Sequence, residues 1–113
     1  INGVRDAINF IKKDFSIALM IDQRVSEGEK IDFFNRPALT TTLPAQLSLK
    51  YNLSIIPVFI ERENSIFKLK FYNEIYPSDF RDKLTLTKKL NETLEEMIKK
   101  NPNQWIWTHN RWK

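Results

Sequence analysis

The segment formed by residues 33–62 constrains the fold more than any other part of the chain. It ends in a nearly continuous apolar run at residues 53–60, which is typical of a strand covered on both faces of a parallel sheet. Pro57 lies within this run and cannot donate a hydrogen bond, so we expect it at a bulge or where no neighbouring carbonyl needs its N–H. The run therefore predicts a buried strand that is interrupted locally at Pro57.

A short helix is predicted immediately before that strand. Three threonines at positions 40–42 offer hydroxyl groups for an N-cap, and Pro44 suits a first helical turn. Leu43, Leu47 and Tyr51 recur at the spacing of one helix face. The order of polar turn, helix and buried strand predicts an α/β fold with a mixed, largely parallel sheet flanked by helices.

Composition fits one compact soluble domain, because the 113 residues are 42% hydrophobic and 28% charged. No apolar run approaches the roughly 20 residues that span a bilayer, and no signal-peptide pattern is present. Since the first residue is Ile1, we expect an internal piece or a processed product. The absence of cysteine excludes disulfides and thiolate zinc sites. The net charge of +4 favours an anionic partner, which could be a phosphate, an anionic membrane surface or an acidic protein.

The first part of the chain predicts a helix over residues 3–13, followed by a buried strand at residues 15–21. Asp22, Gln23 and Arg24 come directly after that strand. Ligand-handling residues gather at the carboxyl ends of parallel strands, so this polar trio is a candidate site. The alternative is that Asp22 only caps a loop.

Residues 66–72 alternate strictly between apolar and polar side chains, which predicts an antiparallel, half-exposed strand near a sheet edge. Lys68 and Lys70 share one face of this strand. Outward lysines discourage unwanted pairing at an edge. They could instead contact anionic headgroups, but a solvated strand face is the preferred interpretation.

A second, longer helix is predicted over residues 85–100, with Thr85 as its N-cap and Asn101-Pro102 as its end. Its apolar face consists of Leu86, Leu90, Leu94, Met97 and Ile98. Trp105 and Trp107 follow the helix. They could cover its apolar face or form a membrane-interface belt, and we favour packing.

The sequence contains few motifs that indicate a particular reaction or ligand. It contains no glycine-rich phosphate loop, no paired histidines for a metal, and no serine or cysteine nucleophile beside a base. His109 is the sole histidine, and no orienting carboxylate is placed near it in the sequence. Residue spacing alone therefore predicts an α/β domain without assigning a reaction.

Several short motifs acquire meaning from their order along the chain. They are Asp22-Gln23, the Phe-Phe-Asn-Arg-Pro-Ala segment at 33–38, the threonines at 40–42, Ile56-Pro57-Val58 with Arg62, and the Pro-x-Gln-Trp-x-Trp-x-His-x-Arg-Trp-Lys pattern at 102–113. In this order the motifs resemble the late acyltransferases of lipid A biosynthesis, which are the lauroyl and myristoyl transferases of Gram-negative bacteria. The resemblance covers essentially the whole chain, and the closing pattern is its most specific part.

The resemblance implies a reaction at the cytoplasmic face of the bacterial inner membrane. A fatty acyl chain would pass from acyl carrier protein to a hydroxyacyl chain on a lipid A precursor, without a cofactor or a metal. Residues 1–113 would form the C-terminal portion of a single acyltransferase domain with a glycerolipid-acyltransferase-like fold. No transmembrane segment is expected in this chain, although the resembled proteins carry an N-terminal membrane helix.

The general base of the resembled family belongs to a His-x-x-x-x-Asp/Glu motif that precedes the matched region. His109 cannot supply it, because the carboxylate would fall at position 114, beyond the printed sequence. We therefore expect no catalytic residue in this chain and no acyl transfer by the chain alone. Asn35 also departs from the family pattern, in which a glycine often stands at this position.

The resemblance implies six substrate-binding residues: Asp22, Gln23, Arg36, Arg62, His109 and Arg111. Arg36 and Arg62 flank the predicted helix and strand, where cations would meet the phosphates and acidic sugars of the precursor. The excess of Lys and Arg would favour encounter with acidic acyl carrier protein. The alternative is a non-catalytic anion-binding or structural α/β module, in which these arginines are ordinary surface residues.

Overall fold

The computed structural model describes residues 2–113, which form three helices and two antiparallel hairpins. In chain order the elements are α1 (Asn2–Ile11), β1 (Glu29–Phe33), β2 (Arg36–Thr40), α2 (Leu43–Tyr51), β3 (Val58–Glu63), β4 (Ile66–Phe71) and α3 (Lys83–Lys100). Short 3₁₀ turns lie at Pro77–Asp79 and Pro102–Gln104. The result is a small mixed α/β domain.

A tight two-residue turn connects β1 to β2. Phe33 pairs with Arg36, so Phe34 and Asn35 form the turn. Their φ angles of 51° and 57° are both positive, as a type I′ hairpin turn requires. The backbone N–H of Phe34 donates a 2.8 Å hydrogen bond to Oε1 of Glu95, so a side chain of α3 holds the turn in place.

Helix α3 begins earlier than the sequence predicts. Asp82 is its N-cap, and one carboxylate oxygen accepts hydrogen bonds from the backbone N–H groups of Leu84 and Thr85 at 2.9 and 2.8 Å. The predicted N-cap at Thr85 is therefore wrong, because an ionised carboxylate satisfies two terminal donors that a hydroxyl further along cannot reach. The end of the helix at Asn101 is confirmed.

The core lies where α3 meets the β1–β2 hairpin. Phe33, Ala38 and Ile98 are buried together, with Leu94, Trp105, Phe34 and Trp112 packed around them. The predicted apolar face of α3 is confirmed, since Leu86, Leu90, Met97 and Ile98 are buried. The predicted packing role is confirmed for Trp105, whereas Trp107 is more than half exposed.

The predicted largely parallel sheet is wrong for the part of the chain that the structure describes, where both sheets are antiparallel pairs. The predicted strand at residues 15–21 does not form. The predicted strand at 53–60 is displaced to Val58–Glu63, and both Val58 and Ile60 are exposed. An apolar run shows that a segment is hydrophobic, but a strand also needs a neighbouring strand to pair with. The sequence of the run does not specify that neighbour.

The prediction of an antiparallel strand near residues 66–72 is confirmed by β4, which pairs with β3 along its whole length. All six residues of β4 are exposed. Phe67, Leu69 and Phe71 share a face with Val58 and Ile60, so this hairpin presents an apolar face to solvent.

The other edge of β3 contacts a side chain instead of a strand. The Gln104 amide donates from Nε2 to the carbonyl oxygen of Ile60 at 3.1 Å, and its Oε1 accepts the backbone N–H of Arg62 at 2.7 Å. Asn101 donates both to Gln104 Oε1 and to the Glu61 carboxylate. These contacts attach the β3–β4 hairpin to the end of α3.

The two remaining predicted helices are confirmed as α1 and α2. The hydroxyl caps of α2 differ from the expectation, because the Thr42 side chain accepts from the Gln46 amide and caps no backbone N–H. Thr41 Oγ1 instead accepts the Leu43 N–H at 3.3 Å. Pro57 lies one residue before β3, where its missing N–H interrupts no ladder of that strand.

Candidate functional site

An open cavity of about 840 Å³ lies between the first apolar run, the start of β3 and helix α3. Residues 14–22 and 53–60 both contribute to its walls. Leu90, Leu94 and Met97 contribute from α3, and Trp105 lies at the end of that helix. Most of the lining side chains are aliphatic or aromatic, so the cavity suits an apolar ligand.

Asp22 brings a carboxylate to this cavity. The residue is half-buried, and its Oδ1 is buried without a hydrogen-bond partner among residues 2–113. The neighbouring Gln23 is exposed. Since the strand predicted before them does not form, Asp22 reaches the cavity from an irregular segment and not from the carboxyl end of a strand.

Arg111 is fully buried, with 0% of its surface exposed. Its Nη1 donates to the carbonyl oxygen of Leu39 at 2.6 Å, and its Nη2 donates to Thr40 Oγ1 at 2.8 Å. The guanidinium carbon also lies 5.3 Å from the centroid of the Phe33 ring. The cation therefore fastens the C-terminal segment to β2.

Burial lowers the pKa of Arg111, because desolvation disfavours the charged form, and the negative charge of Asp22 partly opposes this shift. An arginine remains charged despite such a shift. The structure therefore holds a charged guanidinium in a buried position.

Arg36 lies at the start of β2 and is exposed. Its guanidinium carbon lies 5.4 Å from the centroid of the Trp112 ring, close enough for a cation–π contact. His109 is also exposed, and its backbone N–H donates to the carbonyl oxygen of Ile106. The C-terminal segment thus brings Trp112 and Arg111 to the hairpin that carries Arg36.

Arg62 lies on the other hairpin. It is exposed, its Nε donates to the carbonyl oxygen of Asn64 at 3.4 Å, and its guanidinium carbon lies 5.7 Å from the Phe67 ring centroid. Among the predicted site residues, Arg36 contacts Trp112, the residue next to Arg111 in the C-terminal segment. The contacts of Arg62 are with Gln104, Asn64 and Phe67, and none of these is a predicted site residue.

Asn91 was missed by the sequence analysis, although it is fully buried. Its Nδ2 donates to the carbonyl oxygen of Asp32 at 3.0 Å and to Thr40 Oγ1 at 3.4 Å, which joins α3 to the β1–β2 hairpin. The sequence did contain a signal for this burial. Asn91 comes directly after Leu90 and three residues before Leu94, so it lies on the apolar side of the helix. A polar side chain at such a position predicts a buried hydrogen bond.

Within the described range 2–113, no group of three or more His, Cys, Asp or Glu side chains is arranged to hold a metal ion. No helix in that range is both long enough and apolar enough to cross a membrane.

Comparison with curated proteins returned no match. The protein family described as bacterial lipid A biosynthesis acyltransferase matches residues 1–113, which is the whole printed sequence. The resemblance carried by the ordered motifs is thereby confirmed, and the chain belongs to the bacterial lipid A biosynthesis acyltransferase family.

Proposed function

We propose that this chain supplies an acyl-chain-binding cavity to an enzyme that moves a fatty acyl chain from acyl carrier protein to a lipid A precursor. The supporting observation is the cavity of about 840 Å³ and its apolar lining. Small-molecule sites in proteins have volumes of about 300–1,000 Å³. Each methylene group buried in such surroundings contributes about 0.8 kcal/mol to the binding free energy. A long acyl chain, which has many methylene groups, would therefore bind favourably.

Positively charged side chains of this chain would bind the anionic groups of the substrates. Arg36 is exposed beside Trp112, where it can contact a phosphate of the acceptor. The net charge of +4 favours encounter with acidic acyl carrier protein and with an anionic membrane surface. In this proposal the enzyme works at the cytoplasmic face of the inner membrane.

The role proposed for this chain is binding and positioning, not proton abstraction. The printed sequence has one histidine, His109. His109 is also exposed and is absent from the cavity lining. We therefore expect acyl binding without turnover when the chain is studied by itself.

Quenching of tryptophan fluorescence tests the proposed acyl site. The probe is 12-bromododecanoic acid, whose bromine quenches an indole that it contacts. Trp105 lines the cavity, whereas Trp107 and Trp112 are absent from its lining. We expect saturable quenching that is lost in Trp105→Phe. Equal quenching in the wild type and in Trp105→Phe would contradict the proposal.

A matched pair of charged substitutions locates the binding more closely. Ile56 and Ile66 are similarly exposed, at 54% and 57%, but only Ile56 lines the cavity. Ile56→Asp should weaken the binding of the brominated acid at least tenfold, because a carboxylate in an apolar site is costly to desolvate. Ile66→Asp should leave binding unchanged. Equal effects of the two substitutions would place the acyl chain elsewhere.

The role of Arg36 is tested with the lipid A precursor as ligand. Arg36→Ala should weaken binding, and Arg36→Lys should recover only part of it, because an ammonium lacks the two-pronged geometry of the guanidinium. The comparison is made at low and high salt, since a direct contact persists while a long-range effect is screened. Wild-type affinity in both variants at both salt concentrations would show that Arg36 is a surface residue without this role.

A further inference from the structure

The Arg36 side chain starts from the exposed first residue of β2, and its guanidinium carbon lies 5.4 Å from the centroid of the Trp112 ring. None of the ion pairs between residues 2–113 includes Arg36. An exposed arginine side chain has many rotamers, and fixing it for a ligand costs free energy. The contact with Trp112 therefore restricts a cation that belongs to no ion pair in the described part of the chain.

Trp112 is itself held in place by several contacts. Its indole N–H donates to the carbonyl oxygen of Phe33 at 2.9 Å, and its ring stacks on the Phe33 ring with the centroids 5.6 Å apart. The backbone N–H of Trp112 donates to Oδ1 of Asn110 at 3.1 Å. Because these contacts fix the indole, it presents a fixed ring face to the guanidinium of Arg36.

The strand register explains why this indole ring reaches Arg36. Phe33 and Arg36 are directly paired across the β1–β2 hairpin, so their side chains lie on the same face of the sheet. A ring that stacks on Phe33 therefore lies beside Arg36. Arg111 anchors the segment that carries the ring, because it is fully buried and donates to the carbonyl oxygen of Leu39 and to Thr40 Oγ1.

We propose that Trp112 is a positioning residue that holds the Arg36 guanidinium ready for a phosphate group of the acceptor. A guanidinium that stacks on a ring uses its face, so the N–H groups at its edge stay available for paired hydrogen bonds to a phosphate. Arg111 acts one step further away, by anchoring Trp112, and not through the direct substrate contact that the family resemblance implies. This inference rests on the phosphate contact of Arg36 in the proposed function.

A double-mutant cycle on binding of the lipid A precursor tests the coupling of the two side chains. Trp112→Leu is measured in the wild type and in Arg36→Ala, and the backbone amide spectrum reports whether each variant is folded. In the wild type, Trp112→Leu should weaken binding by about threefold to tenfold, because the ligand must then order a mobile guanidinium. In Arg36→Ala the same substitution should leave the affinity unchanged. Trp107→Leu is the matched control and should change neither affinity, since the Trp107 indole also donates to a backbone carbonyl, at 2.8 Å, but is exposed.

A second measurement keeps the test independent of whether Trp112→Leu folds. Replacing tryptophan by 5-fluorotryptophan nearly preserves the shape of the side chain but withdraws electron density from the ring face, which weakens a cation–π contact. Fluorination should weaken precursor binding about twofold more in the wild type than in Arg36→Ala. The same factor in both backgrounds, in either measurement, would overturn the positioning role, because Trp112 would then act only through the fold. Failure of the phosphate contact itself is distinguishable, since Arg36→Ala alone would then bind like the wild type.

Discussion

The indole N–H of Trp112 donates a 2.9 Å hydrogen bond to the carbonyl oxygen of Phe33, and the two rings stack with their centroids 5.6 Å apart. This contact joins the C-terminal segment to the end of β1, 79 residues earlier in the chain. Trp112→Phe should lower the free energy of unfolding by about 1–3 kcal/mol, because the carbonyl loses its partner.

The matched control for Trp112 is Trp107, whose Nε1 donates to the carbonyl oxygen of Pro102 at 2.8 Å on an exposed ring. Trp107→Phe should have a much smaller effect, since water can replace the lost donor. Urea titration measures both variants. Equal losses would show that the Trp112 hydrogen bond adds nothing specific to stability.

Leu90 should be among the most sensitive positions of α3, because it is 95% buried while Leu84 of the same helix is 45% exposed. Leu90→Ala should destabilise the protein by about 2–5 kcal/mol through lost burial and the remaining cavity. Leu84→Ala should cost less than about 0.5 kcal/mol. Denaturant titration that gives Leu90→Ala the smaller value would contradict the observed packing of α3.

Asn35 should tolerate glycine better than alanine. Its φ of 57° lies in the left-handed region, which costs a residue with a Cβ about 1–2 kcal/mol unless, like asparagine, it can hydrogen-bond locally. Asn35→Gly should therefore leave the melting temperature unchanged or raise it, whereas Asn35→Ala should lower it. Asn52, at φ 52°, offers the same comparison at the end of α2. Equal melting temperatures for the two Asn35 variants would contradict the turn geometry.

The N-cap of α3 should make stability depend on pH. Hydrogen bonds from the backbone of Thr85 lower the pKa of Asp82. A lowered folded pKa stabilises the protein above the unfolded value of about 3.9, and this stabilisation is lost as the pH falls through the folded value. The difference in unfolding free energy between wild type and Asp82→Asn should therefore be constant at neutral pH and shrink below about pH 4.

Arg81→Gln is the control for that titration. Arg81 contributes the smallest of the effects that lower the Asp82 pKa, and its side chain is 87% exposed. Thermal melts of wild type, Asp82→Asn and Arg81→Gln across pH 2.5–7, spanning the ordinary Asp pKa of about 3.9, measure the effect. A difference that grows as the pH falls would have the wrong sign for this cap.

The helices were predictable because their signal is local. The spacing of Leu86, Leu90 and Met97 specifies one buried face without reference to the rest of the chain. The strands were harder, since the apolar run at 53–60 contains no information about which segment lies beside it. Pairing depends on distant residues, and β3 pairs with β4 and not with the run at 15–21.

The candidate site was also only partly predictable from the sequence. The sequence indicated Asp22 as a polar residue after an apolar run, and the structure places it at the cavity. The burial of Arg111 could not be predicted, because charge alone indicates a surface position. Its hydrogen-bond partner Thr40 lies 71 residues away, and only the folded chain brings the two together.

The Gln104 amide occupies neighbouring donor and acceptor positions on the outer edge of β3, at Ile60 and Arg62. A strand from a second molecule needs these same groups to extend the sheet, and the adjoining apolar face of β3 and β4 would otherwise invite such growth. One side chain thus occupies the pairing groups on this part of the β3 edge. Gln104→Ala would leave these groups of β3 free to pair with another copy of the chain. We therefore expect the substitution to lower solubility more than it lowers the free energy of unfolding.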